Sequence, residues 1–258
     1  MNASLFAPAL ALASFVGILV MLEWGRRIGK RQQAVEGGAA REGVTAVEGS
    51  VYALGGLLIA FTFSGAAQRF EDRRHLVVQE ANDIGTAWLR IDLLPAATQE
   101  PMRALFRQYL DARLAIYRAA GDPDASSAGI ARANALQNLI WSDAVAACRS
   151  ADVVAACMLL LPALNAMFDT ASARTAATMM HPPWVIYGML WLFVLVGALL
   201  AGHAMAGASK RDLLHTVVYA AIMGAILYVI ADIEFPRLGL IRVDAIDALL
   251  EGVRRSMG

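Results

Sequence analysis

Residues able to do chemistry are few and scattered. His75, Glu80 and Asp83 fall on consecutive turns of a helix, and Glu80 with Asp83 is an i, i+3 carboxylate pair. A metal or catalytic site needs further converging ligands, yet the chain carries no HExxH, no CxxC and no carboxylate-histidine repeat. No glycine-rich phosphate loop follows a strand, and no GxSxG nucleophile motif occurs. The expectation is therefore no enzyme, no metal and no cofactor, with Glu80, Asp83 and Arg90 forming a helix ion-pair network together with Arg73, within the helix or between subunits. His203 and His215 flank a short connection between two apolar runs, where they read as interfacial residues or as members of a proton relay. Cys148 and Cys157 could form a disulfide in an oxidising compartment if two helices fold back on each other; the alternative is two small buried side chains in an alanine-rich core.

The elements that carry these residues are apolar. Of 258 residues, 58% are hydrophobic and only 17% charged, with a mean hydropathy of +0.53, too greasy for an ordinary soluble domain. With 22 basic and 22 acidic side chains the formal net charge is zero, so nothing argues for nucleic acid as a partner. Met1 to Leu22 is uncharged and basic residues follow it, the reverse of a signal peptide, so the segment reads as a first span. Gln32 to Glu48 shows no apolar periodicity and reads as a flexible linker. Gly49 to Gln68 is an uncharged run of the length that crosses a bilayer core, and with no proline before Pro95 it continues into water as one long helix. Amphipathic helices over 99–120 and 130–148, separated by a loop at 121–129, and an apolar helix from Val153 kinked at Pro162 complete a helical domain. Trp184 to Ser209 and Leu213 to Ala231 are the third and fourth spans.

On the emerging part of the long helix, Arg69, Arg73, Leu76, Glu80, Asp83, Ala87 and Arg90 share a face, and the stripe reads back into the membrane through Gln68, Ser64, Phe61 and Leu57. A polar stripe continuing into a span suggests a wet interior surface; the competing reading is a solvated face above small residues that let helices pack. No Asp, Glu, Lys or Arg lies deep in any span, which counts against an ion-coupled transporter.

The run GLLIAFTFSGAAQRFEDRRHLVVQEANDIGTAWLRIDLLP, with DIEFPRLGLIRV near the end, resembles the bestrophin-like domain of unknown function found in bacterial membrane proteins. That family is in turn distantly similar to bestrophin anion channels, through Phe61, Phe63, Arg69, Phe70 and Arg73 and a later Asp232, Pro236 and Gly239 grouping. The resemblance implies a homo-oligomer, five copies by analogy, in the bacterial inner membrane. Its pore would be lined by the second span at Leu57, Phe61, Ser64 and Gln68, with Phe61 and Leu57 as a hydrophobic constriction and Arg69 and Arg73 raising the local anion concentration. Gly55, Gly56 and Gly65 would allow neighbours to approach closely.

The expected fold is thus an all-α polytopic membrane protein. Residues 1–68 form a first hairpin, 69–183 an extramembrane helical domain, 184–235 a second hairpin, and 236–258 a tail packing on the helical domain through Leu240, Ile241, Leu249 and Leu250. The short loops hold Arg26, Arg27, Lys30, Arg31, Arg41, Lys210 and Arg211, which the positive-inside rule keeps in the cytoplasm, putting the helical domain in the periplasm. Resemblance to bestrophins implies the opposite side. The expected function is an anion channel with lipid, small anions and its own copies as partners; the alternative is a non-conducting scaffold or sensor whose helical domain binds a partner.

Overall fold

The computed structural model describes residues 3–36, 42–119, 122–149, 151–207, 213–235, 240–241 and 244–258. Among these the chain is all-α, with eight helices: α1 (Ala3–Glu36), α2 (Glu42–Arg90), α3 (Ala96–Arg118), α4 (Pro123–Ala147), α5 (Val154–Met179), α6 (Trp184–Ala204), α7 (Leu213–Glu234) and α8 (Asp244–Ser256). Four stretches are long and apolar enough to cross a membrane: Pro8–Ala34, Ala46–Leu93, Val154–Gly207 and Leu213–Glu234. The third takes in α5 and α6, of which Trp184–Ala204 has no Asp, Glu, Lys or Arg. The chain is therefore an all-α polytopic membrane protein.

It divides into two compact units, one of residues 1–69 with 181–241, the other of residues 70–180 with 242–258. In the first, α1 packs along α6 and α7 around Ile18, Leu22, Leu190, Val194, Ala198, Ala220, Leu227 and Ile230. The approach of α1 to α6 is set by two glycines. A Cβ on Gly25 would lie 1.8 Å from the Leu199 carbonyl oxygen, and one on Gly202 would lie 2.0 Å from that of Leu22. Each helix thus lays backbone against a bare Cα of the other, the close approach that small residues allow between helices in lipid. Within one copy, a Cβ on Gly56 of α2 would meet open space, one on Gly55 only ordinary contact, and one on Gly65 the end of the Arg69 side chain at 3.2 Å.

In the second unit, α2, α3, α4 and α5 share a core that includes Ile84, Ile91, Phe106, Tyr109, Leu110, Ile140, Leu160, Leu164 and Met167. Trp88 stacks at a tilt on Phe106, and the guanidinium groups of Arg103 and Arg107 lie over its ring. Helix α8 adds Leu250 to this core and Met257, just past its end, joins it; Arg254 pairs with Asp111, and Arg118 with Glu251.

Several local expectations change. The linker expected at 32–48 is helical at both ends: α1 runs on to Glu36 and α2 starts at Glu42, because Gln, Ala, Glu and Arg are good helix formers even without an apolar face. The loop expected at 121–129 is mostly the first turns of α4. Asp122 caps that helix, its carboxylate accepting the amides of Asp124 and Ala125 at 3.1 Å, and Pro123 sits at the first helical position. Leu240 and Leu249 are exposed, while Leu250 is buried. Arg41, Lys210, Arg211, Pro236 and Gly239 lie outside the described residues.

Candidate functional site

Within the spanning part of α2, Leu57 and Phe61 are 52% and 68% exposed, and Ser64 and Gln68 are exposed with them. The buried side of the same segment is Thr62 and Ala66. Thr62 returns its hydroxyl to the Leu58 carbonyl at 2.7 Å, which satisfies a polar group where water is absent. Arg69 comes three and seven residues after Ala66 and Thr62, so it shares their inward register rather than that of Gln68. The expected run of the charged stripe into Gln68, Ser64, Phe61 and Leu57 is a slip of about one residue in helical phase.

Arg69 meets a carboxylate that is wholly buried. Its Nε and Nη2 donate to Glu234 Oε2 at 3.0 and 2.7 Å, and His181 Nδ1 lies 2.9 Å from Glu234 Oε1. The His181 ring rests on Phe235 at a 4.6 Å centroid distance. Arg69 is therefore half of an ion pair rather than a free anion attractor. Asp232, two residues before Glu234, accepts the amides of Leu240 and Ile241 at 3.0 Å and so caps the chain leaving α7. At another place in this unit, His203 Nε2 meets Gln32 Oε1 at 2.6 Å, and its Nδ1 lies 3.6 Å from Glu48. One imidazole thus joins α1, α2 and α6.

In the helical unit Glu71, Asp72 and Arg74 are exposed, but Glu80 further along α2 turns inward. Glu80 is fully buried; it accepts from Arg113 Nε at one oxygen and from Arg174 Nη1 at the other, both at 2.6 Å. Arg113 and Arg174 are 3% and 4% exposed. The Tyr117 hydroxyl donates to Glu80 Oε2 at 3.1 Å, and the Arg174 guanidinium lies 3.6 Å from the centre of the Tyr117 ring. Burial pushes the Glu80 carboxyl up, but the two arginines outweigh it and hold it below the usual carboxylate range. Burial and the Glu80 charge together push the Tyr117 phenol well up.

The expected network along α2 is thus replaced by bonds between helices. Glu80 pairs with Arg113 and Arg174 rather than with Arg73 or Arg90. Asp83 accepts from the Thr170 hydroxyl at 2.6 Å, Arg90 donates to the Leu159 carbonyl, and Arg73 donates to the carbonyls of Ala177 and Met180. The positions of α2 left exposed between 75 and 91 are His75, Val78, Gln79, Asn82, Thr86 and Leu89, and none is acidic, Lys or Arg. For a helix read as lying in water this is inside out, since the charges face protein and the neutral side chains face away from it.

Sequence reasoning missed Arg113, Tyr117, Arg174, His181 and Glu234. Two signals were present. Arg113 falls at the spacing of Phe106, Tyr109, Leu110 and Tyr117, and Arg174 at that of Leu160, Leu164, Met167 and Ala171, so each arginine sits on an apolar face where a charge needs a buried partner. Cys148 and Cys157, at the end of α4 and near the start of α5, are joined as a disulfide with 5.8 Å between their Cα atoms. Among the described residues, no three His, Cys, Asp or Glu side chains gather into a group that could hold a metal ion.

Comparison with known families gives a match to the bestrophin-like domain over residues 9–246. No curated protein and no solved structure matches. The matched stretch takes in the spans, α2 with its buried Glu80, and the Glu234 end of α7, and on that extent the chain belongs to the bestrophin-like domain family.

Proposed function

We propose that this chain assembles with its own copies into an ion channel of the bacterial inner membrane, selective for small anions, whose path runs along the spanning part of α2. The observation that carries this reading is the outward stripe of that segment. Phe61, the most exposed of its large apolar side chains, stands with Leu57, Ser64 and Gln68 on the side away from the rest of the unit. A stripe that mixes the apolar Leu57 and Phe61 with the polar Ser64 and Gln68 fits a surface shared by several copies around water. Anion preference rests on the kinship to bestrophins, because Arg69 is engaged by Glu234. That engagement also favours a second reading, a non-conducting scaffold or sensor in which α2 is only an anchor.

Anion efflux from proteoliposomes containing the purified oligomer separates the two. A hydrophobic constriction conducts when it wets, so Phe61→Ala is expected to raise efflux several-fold, with Leu57→Ala acting in the same direction. An assembled oligomer that passes no ion, with or without these substitutions, leaves the scaffold.

The helical unit faces the periplasm in this proposal. Arg26, Arg27, Lys30 and Arg31 follow the first span directly and favour the cytoplasm for that side, and a disulfide at Cys148–Cys157 persists in oxidising compartments. When cells are lysed in a thiol-alkylating reagent, both cysteines are expected to remain unmodified and to appear as one linked peptide pair on digestion. Recovery of both as alkylated free thiols overturns the orientation.

A further inference from the structure

Glu234 is the last residue of α7 and fully buried, and both of its oxygens are taken. Arg69 of α2 supplies a fork, Nε to both oxygens at 3.2 and 3.0 Å and Nη2 to Oε2 at 2.7 Å. His181, from the segment between α5 and α6, supplies the other contact at Oε1. Tyr187 of α6 also interacts with Arg69. Two separate parts of the membrane unit, α2 and the segment before α6, thus converge on one carboxylate of α7.

In the helical unit α2 has its own anchor at Glu80; within the membrane unit, the rest of its buried side reaches other helices through single contacts at most, as Glu48 does with His203. Ala66 has no polar atom and Thr62 bonds only to its own helix. At the other end Tyr52 donates to the Gly197 carbonyl at 3.3 Å. A planar guanidinium gripping both oxygens of an immobile carboxylate fixes direction as well as distance, which a single hydroxyl bond does not. Arg69 lies eight residues beyond Phe61, about 12 Å along the helix axis. A turn of α2 at Arg69 is therefore a turn of the Leu57, Phe61 and Ser64 stripe.

We propose that Glu234 is a positioning residue for the second helix, holding through Arg69 the rotational setting at which the Phe61 stripe faces away from its own subunit. Its consequence for permeation rests on the channel reading above; the positioning itself does not.

The test uses the full chain in its native oligomer. The sequence has two cysteines and both are in the disulfide, so Ser64→Cys introduces a single free thiol on the stripe. Its rate of modification by a methanethiosulfonate reagent reads the setting of α2 whether or not ions pass. In this background Glu234→Gln is expected to change the rate about tenfold, the effect of roughly 1.4 kcal/mol in the equilibrium between settings. The charge exchange Arg69→Glu with Glu234→Arg is expected to bring it back to within about twofold of the parent. An unchanged rate in Glu234→Gln overturns the proposal, and so does a changed rate that the exchange fails to restore, since a contact acting by packing alone is not rescued by reversing its charges. Should Glu234→Gln fail to fold, Arg69→Lys keeps the charge and loses the fork, and an unchanged rate there overturns it equally. A silent oligomer whose labelling still depends on Glu234 removes the channel and leaves the positioning role standing.

Discussion

Glu80→Ala is expected to cost about 3–5 kcal/mol of stability, because it leaves Arg113 and Arg174 as buried cations with no counter-charge. The cost comes from the stranded charges more than from the lost bonds, so the order of variants is diagnostic. Glu80→Gln, which still accepts hydrogen bonds but carries no charge, belongs close to Glu80→Ala. Replacing Glu80, Arg113 and Arg174 together by Leu or Met recovers much of the loss, since apolar side chains of similar volume can take the place of a buried ion group. Thermal unfolding of the detergent-solubilised protein checks this, with an apparent melting temperature roughly 10 °C lower for Glu80→Ala. A shift below about 2 °C would mean that water reaches the cluster.

The same carboxylate sets a pH dependence. Its pKa in the folded protein is depressed, so its contribution is fully present above the ordinary carboxylate value and is lost as pH falls through the lower folded value. Wild-type stability should therefore decline on the acid side of about pH 4, and the Glu80→Gln variant should lack that part of the decline.

Gly202→Val is the other substitution with a large expected effect. Even the first carbon of the new side chain would lie 2.0 Å from the Leu22 carbonyl oxygen, a backbone atom that moves only if α1 moves. Overpacking usually costs about 1–3 kcal/mol; with backbone on the receiving side, about 3 kcal/mol or more is expected. Gly202→Ala meets the same atom and should be nearly as damaging. Gly25→Ala acts on the reciprocal contact with Leu199, so the two alanine variants together should cost less than their sum, because the first already forces the helices apart. Melting temperatures of the four proteins give the comparison, and a Gly202→Ala protein as stable as the parent refutes the close crossing of α1 and α6.

The spans were legible because a run such as Gly49 to Gln68 needs only composition and length to declare itself. Proline and the capping residues told less. Asp122–Pro123 reads equally as a turn or as the first step of a helix, and only the structure settles it as the start of α4. The charged face of α2 was legible as a face but not as to direction. Helical spacing groups Arg69, Arg73, Glu80 and Asp83 without saying whether water or protein lies opposite, and charges are ordinarily outside. The answer resides in Arg113 and Arg174, which lie 33 and 94 residues beyond Glu80 and belong to other helices. Gly25 and Gly202, 177 residues apart, likewise show their function only once paired.

Those separations bear on how the molecule is made. A ribosome adds about 5–20 residues each second, so Glu80 emerges roughly 5–20 s before Arg174 can reach it, and Leu250 arrives later still. Throughout that interval a nascent α2 already carries an acid destined for burial beside an unfinished core. The helical unit cannot seal until Leu250 has been added, which makes it the part of this chain most dependent on protection by chaperones while it is being synthesised.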